Sequence, residues 1–538
     1  MGVPRGRREP VVLDAMLGAA RGSGGTPLRV LMWHGWLLEG AGSNVHTARV
    51  SEVLRSEGHD VLLLCQEGHP ERYPWIDAWG RVGADRPRIL GGTAGTGVEG
   101  RCILLRPDIG EVLPVFVYDD YEGFRVKTFV DLTDEELQTY LRRNVEALRA
   151  AAAWHGSDVV IAGHAVPGPV VARRALGPER YVARIHGSDL EFAVRPQERY
   201  RDLAHEGLRA ARAVAGASDD VLARCAELVP GLEHLLRRIP PGVDVGRFHP
   251  MPRREALLET AARLEADPST ARGRPGSVDR DVERALARRD AAALADLAAT
   301  YDQEVPDPDA AARLRELAES GEPLVGSFGK LIPEKGVDLL LGAARRSAQH
   351  PAVLVVGFGL YREWLAAVDI AVRGGDAEAL VWLREAGGLS LEPTEGPSTP
   401  SAPGSSAPAV FTGRLDHRYA PGALAAMDVL VVPSVLVEAF GMVAAEGAAA
   451  GALPLVARHS GLAEIAAGLE GEVGRPGLFS FEPGPRATQG IAEGIDRLLS
   501  LPAAERDQLR RRLSAFVARE WSWQRTASRF LEVAGTDT

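Results

Sequence analysis

The sequence predicts an α/β protein built as two lobes of alternating strand and helix. That expectation rests on three observations. Apolar runs that read as buried strands alternate with helical spacings along most of the chain. At 538 residues the chain is too long for one ordinary core. The series breaks between the two lobes at IPPGVDVGRFHP, where Pro240 and Pro241 forbid regular structure and Gly242 permits a turn.

Composition narrows the class. Apolar residues make up 45% and charged residues 25%, the balance of a soluble globular protein. The net charge of −11 (62 basic against 73 acidic residues) argues against a nucleic-acid partner held through its phosphates. Cys65, Cys102 and Cys225 show neither paired nor metal-ligand spacing, so they read as reduced thiols of a cytoplasmic protein. The longest apolar run, Phe440 to Ala457, is interrupted by Glu446 and is not a membrane span.

Taken in order, residues 1–26 read as a flexible tail, its short apolar patch broken by Asp14. LRVLMWHG from Leu28 is a strand, WLLEGAGSN a glycine-containing loop, and VHTARVSEVLRSEGHD a helix with Val45, Ala48, Val53 and Leu54 near one face. VLLLCQE closes a βαβ unit, with Gly40 and Gly42 where the chain turns or approaches a ligand. ILLRP and VLPVFVY are further strand candidates. DLTDEELQTYLRRNVEALRAAAAWHG is an amphipathic helix whose Thr133 and Glu136 form a capping box. DVVIAGH and YVARIHGSD are strands ending in polar groups, and His186 stands out over His164 because Gly187, Ser188 and Asp189 follow it. Ser218 caps the next helix.

Residues 27–250 thus read as a first α/β lobe. Residues 251–321, rich in Ala, Arg, Glu and Asp, read as a helical insertion with a solvated charged face. The second lobe, 322–519, begins with PLVGSFGKLIPEKGVDLLLGAARRS, repeats the scheme in PAVLVVGFGLYREWLAA, and holds a low-complexity insertion near 390–408 that is expected to be disordered. VVPSVLVEAFGMVAAEGAAAGALPLVA is a strand–helix–strand unit carrying two carboxylates, Glu438 and Glu446. The chain ends in a helix with Trp521, Trp523 and Phe530 for packing.

At the strand–helix junctions of the second lobe stand Lys330, Lys335, Glu438 and Glu446. Two lysines and a helix N-terminus suit a diphosphate, and carboxylates accept hydrogen bonds from sugar hydroxyls. That combination suits stabilisation of a departing nucleoside diphosphate.

Together these motifs resemble a retaining glycosyltransferase of family 4, with the GT-B fold of two facing Rossmann-like domains and an interdomain cleft. EAFGMVAAE matches the family's E-x7-E, GKLIPEKGVDLLL its basic and Lys-Gly pattern, VVGFGLYREWL its G-x-G loop, IPPGVDVGRFHP its interdomain turn, and HSGLAEI the segment that follows. The resemblance implies transfer of a sugar from a nucleoside-diphosphate sugar to a hydroxyl acceptor with retained configuration. Lys330 and Lys335 would bind the diphosphate, Lys330 replacing the commoner Arg and losing its bidentate fork. Glu438 would hold the transferred sugar, the N–H groups of Phe440, Gly441 and Met442 would face sugar or phosphate, and Glu446 would hold the ribose. His186 would sit near the donor sugar. Gly42 would meet the donor phosphate, and Ser43 and Asn44 the acceptor. The C-terminal helix would cross back, so that 520–538 complete the first, Rossmann-like lobe of 27–250. No protein base and no cofactor is implied, and Asp119–Asp120 reads as a loop feature, so no metal is expected. A GT-B phosphorylase or nucleotide-sugar epimerase is the alternative within sugar chemistry. An oxidoreductase lacks its G-x-G-x-x-G fingerprint, and a non-catalytic module would not need the intact Glu438, Glu446, Lys330 and Lys335. No strongly basic amphipathic helix supports membrane contact.

Overall fold

The computed structural model describes residues 26–93, 100–118, 121–391 and 407–535. The expected N-terminal tail, the low-complexity run and the Asp119–Asp120 pair therefore lie mainly or wholly outside the described residues. The chain divides into two compact units, 1–214 with 527–538, and 215–526.

The first unit contains β1 (Arg29–Trp33), β2 (Asp60–Leu64), β3 (Ala78–Val82), β4 (Arg88–Gly92), β5 (Arg101–Pro107), a separate parallel pair β6 (Val112–Val115) and β7 (Arg125–Thr128), then β8 (Val159–Gly163) and β9 (Val182–Arg184). Its main sheet runs β9-β8-β1-β2-β5-β3-β4, parallel except for β4. The central strands are continuous apolar runs because helices cover parallel sheets on both faces: Val30, Leu31, Leu62, Leu63 and Leu104 are fully buried. Thr133 caps its helix in the expected box, with Glu136 bonded back to the Thr133 N–H at 2.9 Å. β3, β4 and β7 have no counterpart in the sequence reading; their glycine and arginine content hides the two-residue period.

β10 (Ala213–Gly216) carries the chain from one unit into the other, and β11 (Leu236–Arg238) follows. The second unit's sheet comprises β12 (Leu324–Lys330), β13 (Ala352–Phe358), β14 (Val410–Phe411), β15 (Val429–Val432), β16 (Leu453–Ala457) and β17 (Ser480–Phe481). They are all parallel, in the order β14-β13-β12-β15-β16-β17.

Two boundaries differ from the sequence reading. The first unit ends near residue 214 where the sequence places 250, and the segment after it makes bonds of its own within the second unit. The Asp220 N–H donates to Glu464 at 3.0 Å, and the Thr526 hydroxyl donates to the Pro240 carbonyl at 2.9 Å. A Cβ at Gly242 would meet the Trp523 backbone at 2.4 Å, so only glycine lets these two stretches touch. The return to the first unit accordingly falls at 527 instead of 520.

The 251–321 region is helical, with Arg253–Glu265, Val278–Arg288, Ala291–Leu297 and Ala310–Glu319. The expected solvated charge run needs correction, because part of it is buried. Arg274 is 1% exposed and forks onto Glu363 of the helix Arg362–Gly374, with bonds of 2.7 and 2.8 Å. Asp307, also buried, takes Arg362 at 2.8 Å and Arg313 at 3.2 Å. The sequence reading took this composition for a surface feature; it is a set of ion pairs that fastens the insertion to the helix after β13.

Candidate active site

In an open parallel sheet, ligands bind outside the carboxyl ends of the strands where the strand order reverses. In the second unit that point lies between β12 and β15. Lys330 ends β12, exposed. The chain then turns through Pro333–Lys335 to Gly336, which has φ +64°. A Cβ there would lie 2.3 Å from the Pro433 carbonyl oxygen, so glycine alone brings the turn after β12 against the turn after β15.

The loop after β15 is fastened at both ends. The N–H groups of Val435 and Leu436 donate to the Glu334 carbonyl at 2.8 and 3.2 Å. The Glu438 N–H donates to Ser460 Oγ at 3.0 Å, and the Gly461 N–H donates to the Glu438 carbonyl at 3.0 Å. His459 Nε2 lies 2.7 Å from the Ser434 carbonyl. This scaffold places the Glu438 carboxylate directly on the Lys335 ammonium as an ion pair. The loop ends at Gly441, with φ +104°, where a Cβ would press on Leu462 at 2.5 Å.

The helix Met442–Ala450 begins there, and its first N–H groups have no partners within the helix. The Phe440 side chain is buried edge-on against Trp521, so it contributes only backbone to the site. Glu446, on this helix, is half-buried; burial and then the Asp244 carboxylate push its acid up to about 8. The G-x-G loop has a packing reason of its own. A Cβ on Gly357 would meet the Gly329 carbonyl at 2.1 Å, and one on Gly359 the Leu331 carbonyl at 2.5 Å. Both glycines let the ends of β12 and β13 run together.

The first unit has its own reversal, between β1 and β8. His34 follows β1 and His164 follows β8, their rings stacked at 5.8 Å. The helix Gly42–Ser56 starts beside them without a side-chain cap, and Gly42 has open space around it. Ser43 is half-buried there. Asn44, expected at the acceptor, is 2% exposed, its carbonyl oxygen lies 2.9 Å from His34 Nε2, and its amide donates to the Glu39 carbonyl. Its polar atoms hold the loop in shape.

His186 packs on His164 at 4.6 Å and on His46 at 5.5 Å. Asp189 explains the residues that follow His186. Its buried carboxylate accepts the N–H groups of Ala165 (2.6 Å), Gly187 (2.7 Å), Leu190 (3.0 Å) and His186 (3.2 Å), holding the two loops together. Burial lowers the basicity of all four histidines, His34 to about 4, so the cluster is neutral near pH 7.

His164 is set apart by its surroundings. It has φ +68°, is buried, and neither ring nitrogen has a hydrogen-bond partner among the described residues. Its signal was available only in part: the strand DVVIAGH ends on it, but that β8 lies beside β1 is a fact of topology. A wall of rings closes one side, Trp36 at 4.3 Å and Phe116 at 4.9 Å from His164.

Comparison with known proteins bears on this arrangement. Residues 405–516, which include Glu438 and Glu446, match the family described as glycosyl transferases group 1. A GDP-mannose-dependent alpha-(1-6)-phosphatidylinositol monomannoside mannosyltransferase of Mycolicibacterium smegmatis is 26% identical over 272 residues, 49% of this chain. The match spans about half of that relative, 53% of its length. Among solved structures, sucrose-phosphate synthase from Thermosynechococcus elongatus superposes with TM-score 0.52 at 17% identity, covering 94% of this chain and 98% of that one. Anabaena HepE, solved with UDP and glucose, gives TM-score 0.53 at 13% identity, covering 94% and 99%. The chain therefore has the GT-B fold, and residues 405–516 of its second unit match the model of the glycosyl transferases group 1.

Proposed function

We propose that the protein transfers a glycosyl group from a nucleoside-diphosphate sugar to a hydroxyl acceptor, retaining the anomeric configuration in the manner of family 4. The Lys335–Glu438 ion pair at the β12/β15 reversal, with Glu438 inside the group 1 match, carries this reading. A diphosphate offers Lys335 a doubly charged partner and draws it from Glu438. The released carboxylate is then free to accept hydrogen bonds from the sugar hydroxyls. Lys330 adds a second positive charge, and the N–H groups at the start of Met442–Ala450 face the developing negative charge on the leaving phosphate. Glu446 holds the ribose. In the first unit, Gly42 and Ser43 remain the proposed phosphate and acceptor contacts, with His186 beside the donor sugar.

A melting-temperature panel of UDP-, GDP- and ADP-sugars tests the reading, followed by NMR of the product anomer. One base is expected to stabilise the protein, and Lys335→Ala is expected to weaken its binding about 10- to 100-fold, the worth of one charge-assisted bond. No stabilisation by any of them, or undiminished binding to Lys335→Ala, would refute it.

Glu446 adds a pH dependence. With its acid near 8, it is mostly protonated at pH 7, whereas a ribose diol donates best to the anion. Donor affinity should therefore rise about tenfold per unit between pH 6 and 8, then level off. Glu446→Gln should flatten that profile, as read by calorimetry across the range. The same elevation makes the unliganded fold lose stability as pH rises from 4.5 through about 8.

A further inference from the structure

The first unit exposes a small cluster of large apolar residues: Val117 at 60%, Tyr118 at 63%, Val130 at 37% and Phe192 at 50%. Backbone pairing brings them together. β6 and β7 run parallel with Val115 opposite Thr128, so the next residues out, Phe116 and Phe129, meet and stack at 4.8 Å. One residue further, Val117 and Val130 leave that stack into solvent. Phe192 lies on the turn Leu190–Val194, which packs against Phe129–Asp131. On its inner side the same stack reaches His164, with Phe116 at 4.9 Å. A chain of ring contacts thus runs from the buried His164 imidazole at the β1/β8 reversal through Phe116 to its exposed neighbour Val117.

We infer that this surface receives an uncharged apolar portion of the acceptor, an alkyl or aryl group attached to the sugar or alcohol that supplies the hydroxyl. The inference rests on the glycosyl-transfer reading for the word acceptor. Size and charge favour this occupant. A handful of exposed residues falls far short of the 20–30 per side of a stable protein interface. Four nearby cations are paired with acid, Arg125 and Lys127 both on Glu136, Arg195 on Glu191 and Arg199 on Asp134, while Arg201 donates to the Val194 and Arg195 carbonyls. An anionic membrane surface is held by clusters of basic charge, and here that charge is mostly matched by acid. A neutral apolar group needs no such field.

The test uses the intact protein with methyl and octyl β-glucoside, the latter below its micelle concentration, measured by calorimetry. The octyl compound is expected to bind at least ~10-fold more tightly than the methyl compound, since each buried methylene contributes. A Val130→Ser/Phe192→Ser double variant, altered only at exposed positions, is expected to lose that difference. Equal affinities in the native protein, or an octyl preference that survives in the double variant, would overturn the inference. So would native protein sedimenting with phosphatidylglycerol vesicles where the variant does not, which would make this a membrane-docking face. Stabilisation by nucleotide sugars is measured on both proteins in parallel. Its failure would sink the transfer reading while leaving the glucoside result to be judged separately.

Discussion

Glu438→Gln should lower transfer by at least about 100-fold while leaving the protein folded and able to bind nucleotide. The magnitude is that of removing a preorganised group from a reacting centre. The substitution keeps the shape of the side chain and its backbone anchors, since the Glu438 N–H and carbonyl bond to Ser460 and Gly461 irrespective of the side chain. It removes the charge that pairs with Lys335. Nucleoside-diphosphate affinity should consequently hold or improve, because the lysine no longer has a competing partner. Turnover and nucleotide binding therefore move apart, which a merely misfolded variant would not show. Normal turnover in Glu438→Gln would remove this residue from the site.

Arg274→Ala should destabilise the second unit by about 3–5 kcal/mol, the cost of leaving a buried charge without its partner. Glu363 is fully buried and receives both guanidinium bonds from Arg274 as well as the Tyr301 hydroxyl at 2.7 Å. Alanine leaves that carboxylate with the tyrosine alone. Replacing both partners, as Arg274→Met with Glu363→Leu, should cost much less, because no charge is then stranded. Urea unfolding of the single and double variants measures the difference. A loss below about 1 kcal/mol for Arg274→Ala would mean that the insertion is not held by this pair.

The contrast between these two residues shows what a sequence discloses. Glu438 and Lys335 were legible because each stands in the short turn where a parallel strand meets its helix, Lys335 directly before Gly336 and Glu438 shortly before Gly441. Arg274 was not, because a basic residue in an Ala- and Arg-rich stretch reads as solvated surface, and its partner is 89 positions away. Asn44 likewise makes contacts that no spacing shows: His34 and the Glu39 carbonyl meet its amide. In the first unit, β3, β4 and β7 went unseen because residues such as Gly80, Arg81 and Gly91 obscure the alternation.

By itself the sequence determined that this is an α/β chain, where its parallel strands end, and which charged groups stand at those ends; these depend on local spacing and on apolar runs. The tertiary structure decided which ends are neighbours. Strand order sets β12 beside β15 and β1 beside β8, and so pairs Lys335 with Glu438 and His34 with His164. Strand order is fixed by contacts between residues remote in sequence, and no local spacing contains it.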